Sequence, residues 1–218
     1  MHDTSPQHLN PWFSIWTQPR DTIQQIVDED PTNMVLLLAI LPILIQWFGF
    51  VSISMLNGVS LSIVPISINL VVGLIFSIVF LYLNGAVTRW TGKGLGGQAS
   101  SVNIRAAIAW SMVPGIWILS FVLLSIALIS LLDLAGFRSA GGMDSLSHFV
   151  LIGYAVIVIV AMLWGIIIYL KMLSQVQGFS TWKALRNMLV SGLILAVLAT
   201  AVYFALVMVL FGIIGFKM

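Results

Sequence analysis

Cysteine is absent from all 218 residues, and only 7% of the chain is charged. The first absence removes disulfides, thiolate metal sites and thiol nucleophiles together, and leaves the redox compartment unreadable. The second, set beside 60% hydrophobic residues and a mean hydropathy of +1.10, is incompatible with a water-facing surface over most of the chain. Catalytic motifs are also missing. There is no HExxH, GxSxG or Walker pattern, and His2, His8 and His148 are too scattered for a helical ligand pair. Asp144 and His148 stand four apart, which suits a solvated loop end better than a metal pair. The glycine-rich stretch TGKGLGGQASS, residues 91–101, has no strand before it and reads as a flexible loop rather than a nucleotide cradle. No enzyme activity, cofactor, metal or nucleic-acid partner is expected.

What the chain does hold is apolar length. Five continuous runs, near 34–56, 64–88, 106–132, 149–170 and 188–214, each suffice to cross a hydrocarbon core of about 30 Å. They lack the short alternation of a barrel, so the fold class is an all-α integral membrane protein with five transmembrane helices. Residues 1–33 form an arm in front of a 34–218 membrane domain. MHDTSPQHLN has neither a basic region nor an apolar core, so the first helix is expected to direct its own insertion. Seven Lys and Arg fall on the side of the arm (Arg20, Arg89, Lys93, Arg105, Lys171, Lys183, Arg186) and two, Arg138 and Lys217, on the other. Positive charge resists translocation, which predicts a cytoplasmic N-terminus and a C-terminus outside.

The arm segment NPWFSIWTQPRDTIQQIVDEDP couples aromatics to a helical period. Ile23, Ile26 and Val27 recur at steps of three and four after Pro19, predicting a short amphipathic helix. Trp12, Phe13 and Trp16 extend that apolar surface, and Arg20 sits at its start. Two placements satisfy this pattern: the plane of the leaflet, or the protein's own loops. The arm holds five acids against one Arg, so Asp28, Glu29 and Asp30 are expected to face Lys93, Arg105, Lys183 or Arg186; for Asp30 alone, capping of the first span is favoured.

Within the runs, Gln46, Asn69 and Asn84 are the strongest polar groups. Asn69, Gly73, Ser77 and Asn84 return to one side of the second helix, a pattern that serves helix packing or lines a polar path. Pro42 and Pro114 predict kinks, with Ser111 placed to satisfy a freed carbonyl. Gly73, Gly153 and Gly165 allow self-association. The second and fourth connections echo each other, each running from a cationic helix end through glycine to an Arg in the next helix.

These segments resemble the Yip1 domain family in its compact prokaryotic form. The resemblance is carried by NPWFSIWTQPRDTIQQIVDEDP, by RAAIAWSMVPGIWIL with Pro114, and by WGIIIYLKMLSQVQGFSTWKALRNMLVSG with Trp164, Gly178, Phe179, Lys183 and Ala184, over roughly residues 10–215. It implies five membrane helices and a cytoplasmic N-terminus. Eukaryotic members of that family act in early secretory traffic and bind Rab-type GTPases. This chain has DEDPT where they carry an Asp-Leu-Tyr-Gly-Pro motif, so Rab binding is not carried over and a bacterial inner membrane is the expected home. The resulting expectation is a non-enzymatic scaffold or adaptor that meets lipids, a protein partner or a second copy through its arm and basic loops. The alternative is a small transporter or channel with a polar path.

Overall fold

The structure, a computed structural model, describes residues 8–56, 58–134 and 143–215. Asp3, Arg138 and Lys217 lie outside the described residues, as do His2 and the side chains of Asp144 and His148. The described residues form helices only: α1 (Pro11–Ser14), α2 (Pro19–Glu29), α3 (Val35–Leu56), α4 (Ile63–Gly94), α5 (Ser101–Trp110), α6 (Val113–Leu134), α7 (Met143–Gln177) and α8 (Thr181–Gly215). Five stretches are long and apolar enough to cross a membrane: Val35–Ser52, Ile63–Gly94, Ser101–Ser125, Ala155–Gln177 and Thr181–Val209. Backbone groups in lipid must be satisfied internally, and helical bonding does this along each stretch apart from a turn at Ser111 and Met112 in the third.

Neighbours close a ring, with α3 on α4, α4 on α8, α8 on α7, α7 on α6 and α6 back on α3. At the end of the bundle that carries the arm, α5 packs against α3, α4 and α7 at once. Its composition explains that position. Ala106, Ala107 and Ala109 are fully buried and let neighbouring backbones approach, while Ile104, Ile108 and Trp110 fill the space between them.

The third apolar run is two helices, where the sequence predicts one kinked helix. Pro114 has no N–H to give the carbonyl four residues back, so the chain turns at Ser111 and Met112 and restarts as α6. Ser111 donates its hydroxyl to the Ile108 carbonyl at 2.7 Å, closing the end of α5. Packing changes across the break, since α5 adds α4 and α2 to the α3 and α7 contacts that α6 also makes. Pro42, in contrast, remains inside an unbroken α3.

Helices α4, α7 and α8 have 32, 35 and 35 residues. At 1.5 Å per residue they are about 48–52 Å long and overrun a hydrocarbon core of about 30 Å. They outlast the predicted runs because residues such as 89–94, 171–177 and 181–187 are polar enough to leave lipid yet keep the helical bonding pattern. At the arm end the overhang gathers into a collar, and much of the buried core is there: Ile15, Ile23, Leu38, Leu81, Ile104, Trp110, Ile168, Met172, Leu173 and Ala184. Away from it, Phe76, Val79, Leu193 and Val197 are exposed, as lipid-facing residues should be.

Candidate functional site

The arm is built into the collar. Asn10 caps α1 by accepting from the Trp12 N–H at 3.1 Å, and Pro11 and Pro19 start the two short helices at their first positions. The Ile23 and Ile26 face of α2 then lies on α5 and α7, with Ile15 and Ile23 wholly buried. Trp12 meets the buried Trp110 edge-on at 5.8 Å, and Trp16 is half-buried on the same core. Polar contacts fix the register. Arg20 donates through Nη2 to Thr181 Oγ1 at 2.9 Å and to Ser174 Oγ at 3.5 Å, and Gln175 donates to Gln24 at 3.1 Å. Of the two placements open to the arm, the protein's own collar takes Ile15, Ile23 and Ile26. Phe13 alone among the arm aromatics points away, 66% exposed.

The predicted acidic tether is not made. Asp28 accepts from Gln24 at 2.8 Å, Glu29 pairs with His8 at 3.2 Å, and Asp30 accepts from the Thr32 N–H and hydroxyl at 2.8 and 2.6 Å. None of them reaches Lys93, Arg105, Lys183 or Arg186, because α2 buries its apolar face and leaves the acids on the water side. Asp30 caps the turn between α2 and α3 rather than the first residue of α3, which begins at Val35. Its bonds to Thr32 hold its carboxyl below the usual carboxylate value.

The stretch read as a flexible loop is an ordered junction. After α4, Gly96 takes φ +87°, and after α7, Gly178 takes φ +69°, a left-handed stop that suits glycine. Ser100 and Ser180 then accept from the N–H groups of Asn103 and Lys183, opening α5 and α8. The echo between the two connections is therefore physical. The hairpins α4–α5 and α7–α8 also interlock as two-fold mates would, with α4 on α8 and α5 on α7. Where they meet, Gln98 donates its N–H to the Gln177 carbonyl at 3.2 Å, and Thr91 donates its hydroxyl to Asn187 Oδ1. Gly92 and Gly97 make room for the Gln177 side chain, and a Cβ on Gly92 would lie 2.9 Å from Asn187 Nδ2. Gln177 and Asn187 are at most 1% exposed, and their amide nitrogens have no acceptor.

Sequence reasoning missed Thr91, Gln177 and Asn187. Their signal was present in the polar pairs Thr88/Thr91, Ser174/Gln177 and Asn187/Ser191, each three or four apart at the end of an apolar run. Of the residues it did name, Asn69 is exposed, Gly73 packs on Ile43, and Asn84 is half-buried and accepts from Thr88 at 3.1 Å. Hydroxyls of Ser77, Ser120, Ser125, Ser191 and Thr200 bond back to carbonyls of their own helices. Gln46 and Ser111 border a crevice of about 410 Å³ between α3, α6 and α7 whose other lining is apolar apart from backbone. Lys93, Lys183 and Arg186 are exposed, and Arg105 lies with its guanidinium carbon 4.4 Å above the Tyr82 ring.

Among the described residues no three of His, Asp and Glu come together as a metal site would require. Around the packed collar stand exposed aromatics, Phe13 and Trp182, and the exposed cations Lys93, Lys183 and Arg186. No match was found among curated proteins or among solved structures. The model of the Yip1 domain family matches residues 13–204, from the arm aromatics to the last helix, and this multi-pass membrane protein belongs to that family.

Proposed function

We propose that the protein is a non-enzymatic membrane adaptor, set in a bacterial inner membrane with the arm end in the cytoplasm, and that its collar is the surface a protein partner meets. The observation that carries this reading is Trp182, 75% exposed in the first turn of α8. It borders an open cleft of about 610 Å³ with Arg20, Ser174, Gln175, Phe179 and Thr181. A large indole held on a rigid helix end, with a guanidinium beside it, is the type of anchor that dominates protein interfaces. Phe13 extends the apolar surface on the arm. The orientation rests on the excess of Lys and Arg at this end.

A transporter is the second reading, supported by the crevice at Gln46 and Ser111. It is weaker because Asn69 is exposed, Asn84 is engaged by Thr88, and most of the crevice lining is apolar. Self-association is compatible with either reading, since Gly165 has open space over its Cα.

Photocrosslinking in cells separates the two. Probes at Trp182 and Phe13 should give a distinct protein adduct, and a probe at Trp12, packed on Trp110, should give none. Adducts to lipid and to the protein itself alone would sink the adaptor reading and direct attention to solute flux in liposomes.

A further inference from the structure

A second cluster of charge lies apart from the Arg20 cleft, on the α4 and α5 side of the collar. Tyr82, Arg89 and Lys93 are spaced seven and four apart on α4, and Ser101 and Arg105 four apart on α5, so each set shares one face of its helix. The two faces are joined. Arg89 donates through Nη1 to Ser101 Oγ at 3.3 Å, and the stem of Arg105 crosses Gly85, where a Cβ would stand 2.7 Å from its Cγ. That crossing lays the Arg105 guanidinium over Tyr82.

Nothing described neutralises this cluster. Glu29 lies against the His8 ring, and Asp28 and Asp30 are bonded to Gln24 and Thr32. Arg89 Nε is buried without an acceptor. Three cations on two packed faces repel one another, and the outer nitrogens of the two guanidinium groups remain free to donate, so the arrangement calls for an anion with several acceptor oxygens. Its surroundings name the source. Val79, Leu83, Ala86, Trp90 and Lys93 follow at steps of four and three along α4, all of them exposed, passing from apolar residues to an indole 70% exposed and then to a cation. A lipid-facing stripe that ends this way reaches the headgroup level, where Trp and Tyr sit and cations meet phosphate.

We infer that Arg89 and Arg105, with Lys93 at the rim, bind the phosphate of an anionic phospholipid. The guanidinium fork matches two phosphate oxygens, and Gly85 is required because a side chain there would push Arg105 off Tyr82. This site is independent of the adaptor reading.

The test is native mass spectrometry of the purified protein in mixed micelles holding equal phosphatidylglycerol and phosphatidylcholine. Wild type should retain phosphatidylglycerol preferentially. Arg89→Gln with Arg105→Gln should weaken that retention at least about tenfold, as expected for loss of two charge-assisted contacts, while Arg20→Gln and Arg186→Gln should keep it. Gly85→Ala, which leaves every charge in place, should weaken it in the same direction. Five results would overturn the site: no headgroup preference in wild type, wild-type retention in the folded double variant, wild-type retention in Gly85→Ala, an equal loss in Arg186→Gln, or full displacement of the lipid by inorganic phosphate. The wild-type and Gly85→Ala arms decide the matter even where the double variant does not fold.

Discussion

Replacing Ile23 with Ala should release the arm from the collar. Ile23 is completely buried on the α2 face that packs on α5 and α7, and the arm's polar attachments are few and partly exposed. Truncating a buried Ile to Ala costs about 2–5 kcal/mol, transfer and cavity together. The released face would meet headgroups rather than bulk water, which favours the lower end of that range. About 2 kcal/mol corresponds to roughly a thirtyfold rise in the opening equilibrium of α2. Hydrogen exchange of the α2 amides in nanodiscs reads that equilibrium directly where reclosing is fast. The control is Asp28→Lys with Glu29→Lys: exposed ion pairs contribute about 0–1 kcal/mol, so exchange should change by no more than about fivefold. Wild-type exchange in Ile23→Ala, or the larger effect in the charge variant, would refute docking through the isoleucine face.

Gly92→Ala should destabilise the protein, since the new methyl collides with the buried amides of Gln177 and Asn187; a melting midpoint in detergent unchanged from wild type would count against the packed junction. Asn187→Leu should lower that midpoint much more than Asn69→Leu, because Asn187 is buried and bonded to Thr91 while Asn69 is exposed. Gly178→Ala places a side chain at φ +69° and should cost about 1 kcal/mol, read as a lower midpoint. Asp30, with a carboxyl held below its usual value of 3.8, contributes to the α2–α3 turn above that pH and loses the contribution as pH falls through its lowered value. The protection factors of Thr32 and Asn33, taken against intrinsic exchange at each pH, should fall over that acid range in wild type and stay flat in Asp30→Ala.

Hydropathy and local period carried the coarse architecture. Five apolar runs in a chain without intramembrane charge leave few alternatives to spanning helices, because lipid cannot hydrogen-bond the backbone. The steps of three and four among Ile23, Ile26 and Val27 mark an apolar face for a similarly local reason: side-chain direction in a helix follows residue number. Pro114 announced a disturbance, but not whether it bends one helix or ends it. That outcome depended on α5 having a central place to pack and α6 another.

Which face meets which is not a local property, and there the structure decided. The same isoleucines and tryptophans suit a leaflet or a collar, and the overhang of α4, α7 and α8 past the hydrocarbon is what supplied the collar. The acids of α2 and the basic residues Lys93, Arg105, Lys183 and Arg186 are complementary in sign, yet burial of the apolar face fixed how α2 lies and kept them apart. Thr91, Gln177 and Asn187 are distant in number and became one junction only when two hairpins interlocked. The sequence by itself determined a five-helix membrane protein with an amphipathic arm, through patterns read within a few residues. The tertiary structure alone decided that the arm belongs to the core and that Arg89 and Arg105 share one unneutralised face, because both depend on contacts between segments that no local pattern encodes.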